Sequence, residues 1–407
     1  MNRIILIGNG FDLAHGLKTS YKDFIDDLWR KMNTEYNEHI KSSNDNFVAD
    51  EMVTYIPFTS PEPIQIIDSK PSNDIILSNG YSQKEIVRIN YKNPFFKIIT
   101  EKTTWQNWVD IEEEYYRQLQ GIYNKEIPDS YYTDIKKLNE DFEKIKKKLE
   151  EYLINELNNR KINSFDLENI SQKFNIADFS FNGTAALQDE YFSETEEEKK
   201  KFERYLSAKK RGLSGYNYCE TQIYPKETLL LNFNYTDLPK KLINYIRGCA
   251  WELEDKDDWV WAKNEFEVIQ IHGELNNPDY PIIFGYGDET GKEYEEIEKL
   301  NDYDFLENIK SIKYSETSNY GRLLNFINSD KYQVFIMGHS CGLSDRTLLK
   351  TLFEDKNCVS IKIRMFKYKN SEGKEIDDFS KISRNMSRHF SEKKLMREKL
   401  VNKEYSK

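Results

Sequence analysis

Apolar residues follow two patterns along this chain, and each pattern occupies its own stretch. Short runs that are continuous or nearly so recur at the start and in the last half: Ile4 to Ile7, Leu229 to Leu231, Val268 to Ile271, Ile282 to Phe284 and Val334 to Met337. Runs of this kind predict strands covered on both faces, as in a parallel sheet. Ile361 to Met365 alternates with Lys and Arg instead, which predicts an edge strand. Every run but that last one ends at Gly, Asn or His.

The stretch from about Asn33 to Tyr224 has a different character. Its first part, Asn44 to Tyr91, reads as irregular, with Pro57, Pro61, Pro63, Pro71 and the turn signal Ser78-Asn79-Gly80. Leu138, Phe142, Ile145, Leu149, Leu153 and Leu157 then recur at steps of three and four, predicting a helix of about 25 residues with one apolar stripe. Further helices are expected over Glu194 to Leu206 and along Trp105, Trp108, Ile111 and Tyr115. Such stripes read as packing surfaces. The chain carries no repeat with a period of about 20 to 50 residues. The expected architecture is α/β: a Rossmann-like parallel sheet from residues 1–32 and 225–370, split by a large, mainly helical insertion at 33–224 and followed by a charged C-terminal tail at 371–407.

Composition narrows the function classes. Against 59 Lys and Arg stand 70 Asp and Glu, a formal charge of −11, so general nucleic-acid binding through phosphate contacts is not expected. The 14% aromatic content, with 27 Tyr and 23 Phe, separates the chain from disordered sequences. No apolar run approaches a membrane span, and the apolar start is too short for a signal peptide, so the expected location is cytoplasmic with no membrane partner. Cys219, Cys249, Cys341 and Cys358 form no C-x-x-C pair and read as free buried thiols, with no metal site expected.

Candidate chemistry gathers at the strand ends. Gly8-Asn9-Gly10 follows the first strand, and Phe11 to His15 then lead to Gly16. This reads as a strand, a tight turn and a helix start, with Gly8 supporting the turn and Gly10 admitting a phosphate close to the backbone. Five residues, not two, separate Gly10 from Gly16, which departs from the dehydrogenase fingerprint. Three more strand ends carry polar residues: Asn232-Phe233-Asn234-Tyr235-Thr236, His272-Gly273 and Gly338-His339-Ser340. In an open parallel sheet the carboxyl edge is where ligands bind, so all four can face one crevice. Singly, each is an ordinary turn or core residue; together they make a candidate site.

The segment Ile4 to Phe24 resembles the opening of the AbiH-type bacteriophage abortive-infection proteins, and Asn232 to Thr236, His272-Gly273 and Gly338 to Asp345 fit that family in order. The insertion adds Trp108-Val109-Asp110-Ile111-Glu112. More distantly, the same blocks are similar to sirtuin-like NAD-binding domains. There Gly8, Gly10 and Gly16 match the opening glycines, Asn234 a strand-end Asn, His272-Gly273 the catalytic His-Gly, and Gly338-His339-Ser340 a Gly-Thr-Ser. This resemblance implies a nucleotide pocket built from Gly8, Asn9, Gly10, Phe11, Asp12, Gly16, Asn232, Gly273, Gly338, His339, Ser340 and Asp345. NAD is the implied ligand or substrate. His272 and Asn234 are the implied catalytic pair for releasing nicotinamide in an antiphage response. The sirtuin zinc module is missing, which argues against protein deacylation. Asp12 stands where sirtuins have Ser, and Thr236 where they have Asp.

Chemically, breaking the nicotinamide–ribose bond builds an oxocarbenium-like state, so a site must orient the ribose and supply a base. Asn234 can fix a ribose hydroxyl and a water, and His272 can take a proton. Three other readings stand beside this one. A nucleotide sensor or scaffold would use the insertion to bind a defence partner or a second copy. A serine hydrolase would use Ser340 in Gly338-His339-Ser340-Cys341-Gly342, with only His389 following as base. A nuclease would draw on Asp12, Glu112, Asp237, Asp288 and Asp345. Glu112 and Trp108 could line the pocket, although a helix with Trp inside and Glu outside explains them more simply.

Overall fold

The computed structural model describes residues 1–40, 47–57, 87–101, 108–125, 132–159, 170, 172–191, 200, 203–204, 207, 224–249, 265–369 and 373–406. Strand β1 spans Asn2–Ile7. The short strands β2 (Phe47–Ala49), β3 (Val53–Pro57) and β4 (Val87–Tyr91) follow in the insertion, and β5 (Glu227–Asn232), β6 (Glu265–Gln270), β7 (Tyr332–Met337) and β8 (Cys358–Arg364) complete the core. Five of them form one parallel sheet in the order β6-β5-β1-β7-β8, a Rossmann-like arrangement. Strand order reverses between β1 and β7, which opens a crevice at their carboxyl ends.

The apolar runs are continuous because both faces are covered. Ile4, Leu6, Leu229, Leu231, Val334 and Ile336 pack on one face against Leu323, Phe326 and Ile327 of helix Asn319–Ser329 and Leu348, Leu349 and Leu352 of helix Arg346–Glu354. Ile5, Ile7, Leu230 and Phe335 pack on the other against Leu242, Ile243 and Ile246 of helix Leu238–Cys249. β8 lies at the edge, as its alternation predicts, yet its basic residues do not simply face water. Lys362 is buried and ion-paired with Asp178, and the Ser180 amide donates to Ser360 Oγ at 2.8 Å.

Four expectations change on this scaffold. Ile282 to Phe284 is buried but forms no strand; the Ile283 amide donates to the His272 carbonyl at 2.8 Å, fixing a loop. Part of the stretch read as irregular forms an antiparallel sheet of β2, β3 and β4, with Pro57 as the last residue of β3. The 25-residue helix Ile135–Asn159 buries Leu138, Phe142, Ile145, Leu149 and Leu153, as its spacing predicts, but shares a core with Phe284, Tyr286 and Phe305. Insertion and sheet domain are therefore continuous there. The charged C-terminal tail is structured over residues 373–406: Ile382, Met386, Phe390 and Met396 pack on the sheet, and the Val401 amide donates to the Ile361 carbonyl at 2.9 Å.

Ile111 and Tyr115 are buried on helix Trp108–Asn124, while Trp105 and the Trp108 side chain lie outside the described residues. Most of Glu194 to Leu206 also lies outside them, as do Cys219 and the Cys249 side chain. Cys341 and Cys358 are free and buried. Among the described residues no helix is long and apolar enough to cross a membrane.

Candidate functional site

The polar strand ends meet around a cavity of about 810 Å³ at the reversal of strand order. Gly8, Asn9, Gly10, Phe11, Asp12, Asn234, His272, Gly338, His339, Ser340 and Asp345 all line it. Gly16, Asn232 and Gly273 do not. Gly16 and Gly273 have φ values of +83° and +81° and shape turns behind the wall. Asn232 is fully buried; its amide donates to the Thr236 carbonyl at 2.9 Å and its Oδ1 accepts from the Asn234 amide at 3.1 Å, folding the turn that presents Asn234.

Two loops touch directly at the cavity floor. The Gly8 amide donates to the Met337 carbonyl at 3.1 Å, the Gly10 amide to the Gly338 carbonyl at 2.9 Å, and the Phe11 amide to the Gly8 carbonyl at 2.9 Å. A Cβ on Gly10 would lie 2.8 Å from Gly338 Cα; on Gly338, which has φ +73°, it would lie 2.3 Å from the Phe11 nitrogen. These glycines are needed so that the turn after β1 can seat against the turn after β7. The missing Cβ of Gly10 faces the neighbouring loop, and the three amides already have acceptors.

Asn234 ties a third strand end to this floor: its Nδ2 donates to the Gly8 carbonyl at 3.0 Å. Asp12, in the short helix Asn9–Ala14, accepts from the Thr236 hydroxyl at 2.8 Å through Oδ2, so Thr236 holds a carboxylate where the resemblance places a carboxylate of its own. Asp12 Oδ1 is buried with no hydrogen-bond partner. Burial pushes the Asp12 carboxyl up to about 7, against the lowering effect of Thr236 and Asn234. An unfolded chain ionises this group at about pH 4. The folded protein therefore holds an extra proton as the pH rises from there to about 7, and it loses stability through that window. Asp12→Asn should remove this loss, in which each tenfold difference in proton affinity between the folded and unfolded chain is worth about 1.4 kcal/mol. Urea unfolding of both proteins at several pH values reads the difference, which should grow with pH across the window; a constant difference would contradict the burial argument.

His272 sits behind Asn234 with both ring nitrogens engaged. Nδ1 lies 3.1 Å from the Phe233 carbonyl, so it carries a proton; Nε2 lies 3.2 Å from the Tyr314 hydroxyl and 3.2 Å from Asp345 Oδ1. Burial, and next the Lys310 charge, hold the imidazole below its usual pKa, with Asp345 pulling the other way. The lowered pKa favours the neutral ring near pH 7. Lys310 Nζ lies 2.8 Å from Asp345 Oδ1 and 2.8 Å from Glu112 Oε1, all three side chains being buried. Against the raising effect of burial, Lys310 and then His272 hold Asp345 well below the usual carboxylate range. Glu112, raised by burial and only partly restored by Lys310, moves up to about 7.

Sequence reading missed Lys310 and Tyr314. The run Lys310-Ser311-Ile312-Lys313 looks like a solvated turn, and no local pattern marks its first lysine as 1% exposed. Glu112, expected on the outer face of its helix, points inward at 3% exposure because Lys310 offers a counter-charge. Asp237 and Asp288 are not part of the lining; they pair with Lys241 at 2.9 Å and Arg346 at 3.0 Å. Ser340 lines the cavity, but His389 Nε2 bonds to the Cys341 carbonyl at 2.9 Å and Nδ1 has no hydrogen-bond partner. Neither nitrogen therefore activates Ser340. Among the described residues no group of three or more His, Cys, Asp or Glu is arranged to hold a metal ion.

No curated protein and no solved structure matches the chain. The family model described as bacteriophage abortive infection AbiH matches residues 4–367, nearly its whole length and every strand end of the cavity. The chain belongs to the AbiH family, and its role is phage defence by abortive infection.

Proposed function

We propose that this protein acts in abortive infection by binding NAD in the cavity and hydrolysing its nicotinamide–ribose bond, releasing nicotinamide and ADP-ribose. The observation that carries this reading is the convergence of Asn234, His272 and the Gly8 to Gly10 turn on one cavity, whose volume lies in the range of small-molecule sites. Its place at the strand-order reversal is where nucleotides bind in such sheets.

The residues divide the work as follows. The carbonyl of Asn234 orients a ribose hydroxyl, while its Nδ2 donates one hydrogen to the Gly8 carbonyl and interacts with Asp12. As the C–N bond breaks, its electron pair goes to the pyridine nitrogen and neutral nicotinamide leaves. A water oxygen bonds to the anomeric carbon, and its proton passes to His272 Nε2 and then to solvent. Asp345, 3.2 Å away, stabilises the imidazolium while it exists. With its pKa raised to about 7, Asp12 is partly protonated near neutral pH, which lessens the repulsion that a carboxylate would exert on a nearby phosphate.

Incubating pure protein with NAD and following nicotinamide release tests the reading. The alternative, nucleotide sensing without turnover, draws support from the bonded amides of Gly8, Gly10 and Phe11 and from the occupied nitrogens of His272. Saturable NAD binding with no nicotinamide release, with and without phage components, would favour that alternative.

A further inference from the structure

Two side chains from the C-terminal segment reach the loop that brings His339 and Asp345 into the site. They belong to helix Phe379–Met386 and the 3-10 turn Ser387–His389, beyond the family match that ends at residue 367. Asn385 Nδ2 donates to the Ser340 carbonyl at 2.9 Å. His389 Nε2 lies 2.9 Å from the Cys341 carbonyl, which can only accept, so that nitrogen carries a hydrogen. Beside them, Phe390 stacks on Phe353 at 5.9 Å and 8°, on the helix that starts directly after Asp345.

The grip falls on the strained part of the loop. Cys341 has a φ of +53°, a left-handed conformation in which a Cβ crowds the backbone and which persists only where the surroundings hold it. The Ser340 carbonyl belongs to the peptide plane before Cys341, and the Cys341 carbonyl to the plane after it. Peptide planes are rigid, so holding both carbonyls fixes the two dihedrals of Cys341. That turn brings the Cys341 amide back onto His339 Nδ1 at 3.1 Å, and His339 Nε2 lies 3.5 Å from Asp345 Oδ2. The other oxygen of the same carboxylate lies 3.2 Å from His272 Nε2 and 2.8 Å from Lys310 Nζ. One left-handed turn therefore governs how two imidazoles share a single carboxylate.

We propose that Asn385 and His389 are positioning residues: by holding the two peptide planes around Cys341 they seat Asp345 against His272. The inference rests on the reading of His272 as the base of the reaction, although the contact it concerns forms without substrate.

NMR of the full chain carrying ¹³C at histidine Cε1, with His272→Gln for assignment, tests it apart from any turnover. His272 is faced by Asp345, which raises its pKa, by Lys310 and His339, which lower it, and by the Tyr314 hydroxyl, with Glu112 behind Lys310. Asp345 acts on the ring more strongly than His339 does, so a displaced loop should lower the His272 midpoint. Asn385→Ala and His389→Leu each remove one bond, while His389→Gln keeps an amide nitrogen able to donate. Asn385 is only half-buried, so its variant keeps the test open if loss of His389 harms folding. In Asn385→Ala and His389→Leu the His272 signal should shift at neutral pH, its midpoint should fall, and the acid limb of NAD cleavage should move to lower pH with it. Their kcat should drop roughly ten- to a hundredfold with little change in KM, and His389→Gln should recover most of the loss. A His272 signal and midpoint unchanged in both would overturn the positioning role even if activity fell. If wild type leaves NAD intact while the signal shifts and His389→Gln restores it, hydrolysis fails and the positioning role stands. If both variants cleave NAD with wild-type kcat and an unmoved acid limb, the positioning role fails and hydrolysis stands.

Discussion

Nicotinamide release by His272→Ala should fall about 10² to 10⁴-fold below wild type, the range of a lost general base. The loss should lie in kcat, because the side chain is set to receive a proton as the reaction proceeds and not to hold ground-state substrate. His272 has one nitrogen fixed by the Phe233 carbonyl and the other facing Asp345 and Tyr314, so the ring's orientation is defined without substrate. Burial and Lys310 hold its pKa below the ordinary value. The base form therefore predominates at neutral pH, and activity should be lost only as pH falls through that lowered value. A steady-state pH profile checks the sign: a plateau near neutrality with an acid limb supports the assignment, and a rate that rises further above neutral pH contradicts it. Because Nδ1 also tethers the ring to the Phe233 carbonyl just after β5, circular dichroism of the variant must match wild type before its rate is read.

Lys310→Met should cost about 3 to 5 kcal/mol of stability, the largest effect expected of any single substitution in the site. Its ammonium lies within 2.8 Å of both Glu112 and Asp345, and all three groups are buried. Removing the cation leaves two carboxylates facing each other in a poorly solvated place. The protein can respond only by protonating one of them, and Glu112, already at about 7, is the group that would take the proton. Lys310→Met combined with Glu112→Gln should thus recover part of the loss. Urea unfolding of the three proteins measures this; a loss below about 1 kcal/mol for Lys310→Met would mean that solvent reaches the cluster. The same cluster links helix Trp108–Asn124 of the insertion to His272 through Glu112, Lys310 and Asp345, so the insertion supplies part of the electrostatics of the site.

Legibility of the fold followed from burial. Strands covered on both faces leave uninterrupted apolar runs, so β1, β5 and β7 could be read directly, whereas β6, expected to be covered too, is the sheet's other edge and partly exposed; the helix Ile135–Asn159 showed its stripe at helical spacing. Ile282 to Phe284 misled because a buried loop and a buried strand look alike over three residues; here the backbone bonds to His272 and not to a sheet ladder. The C-terminal segment was hidden by its charge, although Ile382, Met386 and Phe390 recur every fourth residue and mark the face that packs on the sheet. At the site, residues that end strands were legible because turns punctuate the sequence. Lys310 and Tyr314 were not, since each gains its role from partners far away in the chain. The glycine turn was found, and the structure adds a packing reason that no local pattern carries: Gly10 and Gly338 let one loop seat against another.

The most direct test of the account is a crystal structure of the His272→Ala protein with NAD, in which slowed turnover preserves the substrate. The account predicts NAD inside the cavity, with the nicotinamide ribose beside Asn234 and the vacated position 272. NAD bound elsewhere on the surface, or no NAD in the cavity at saturating concentration, would contradict it.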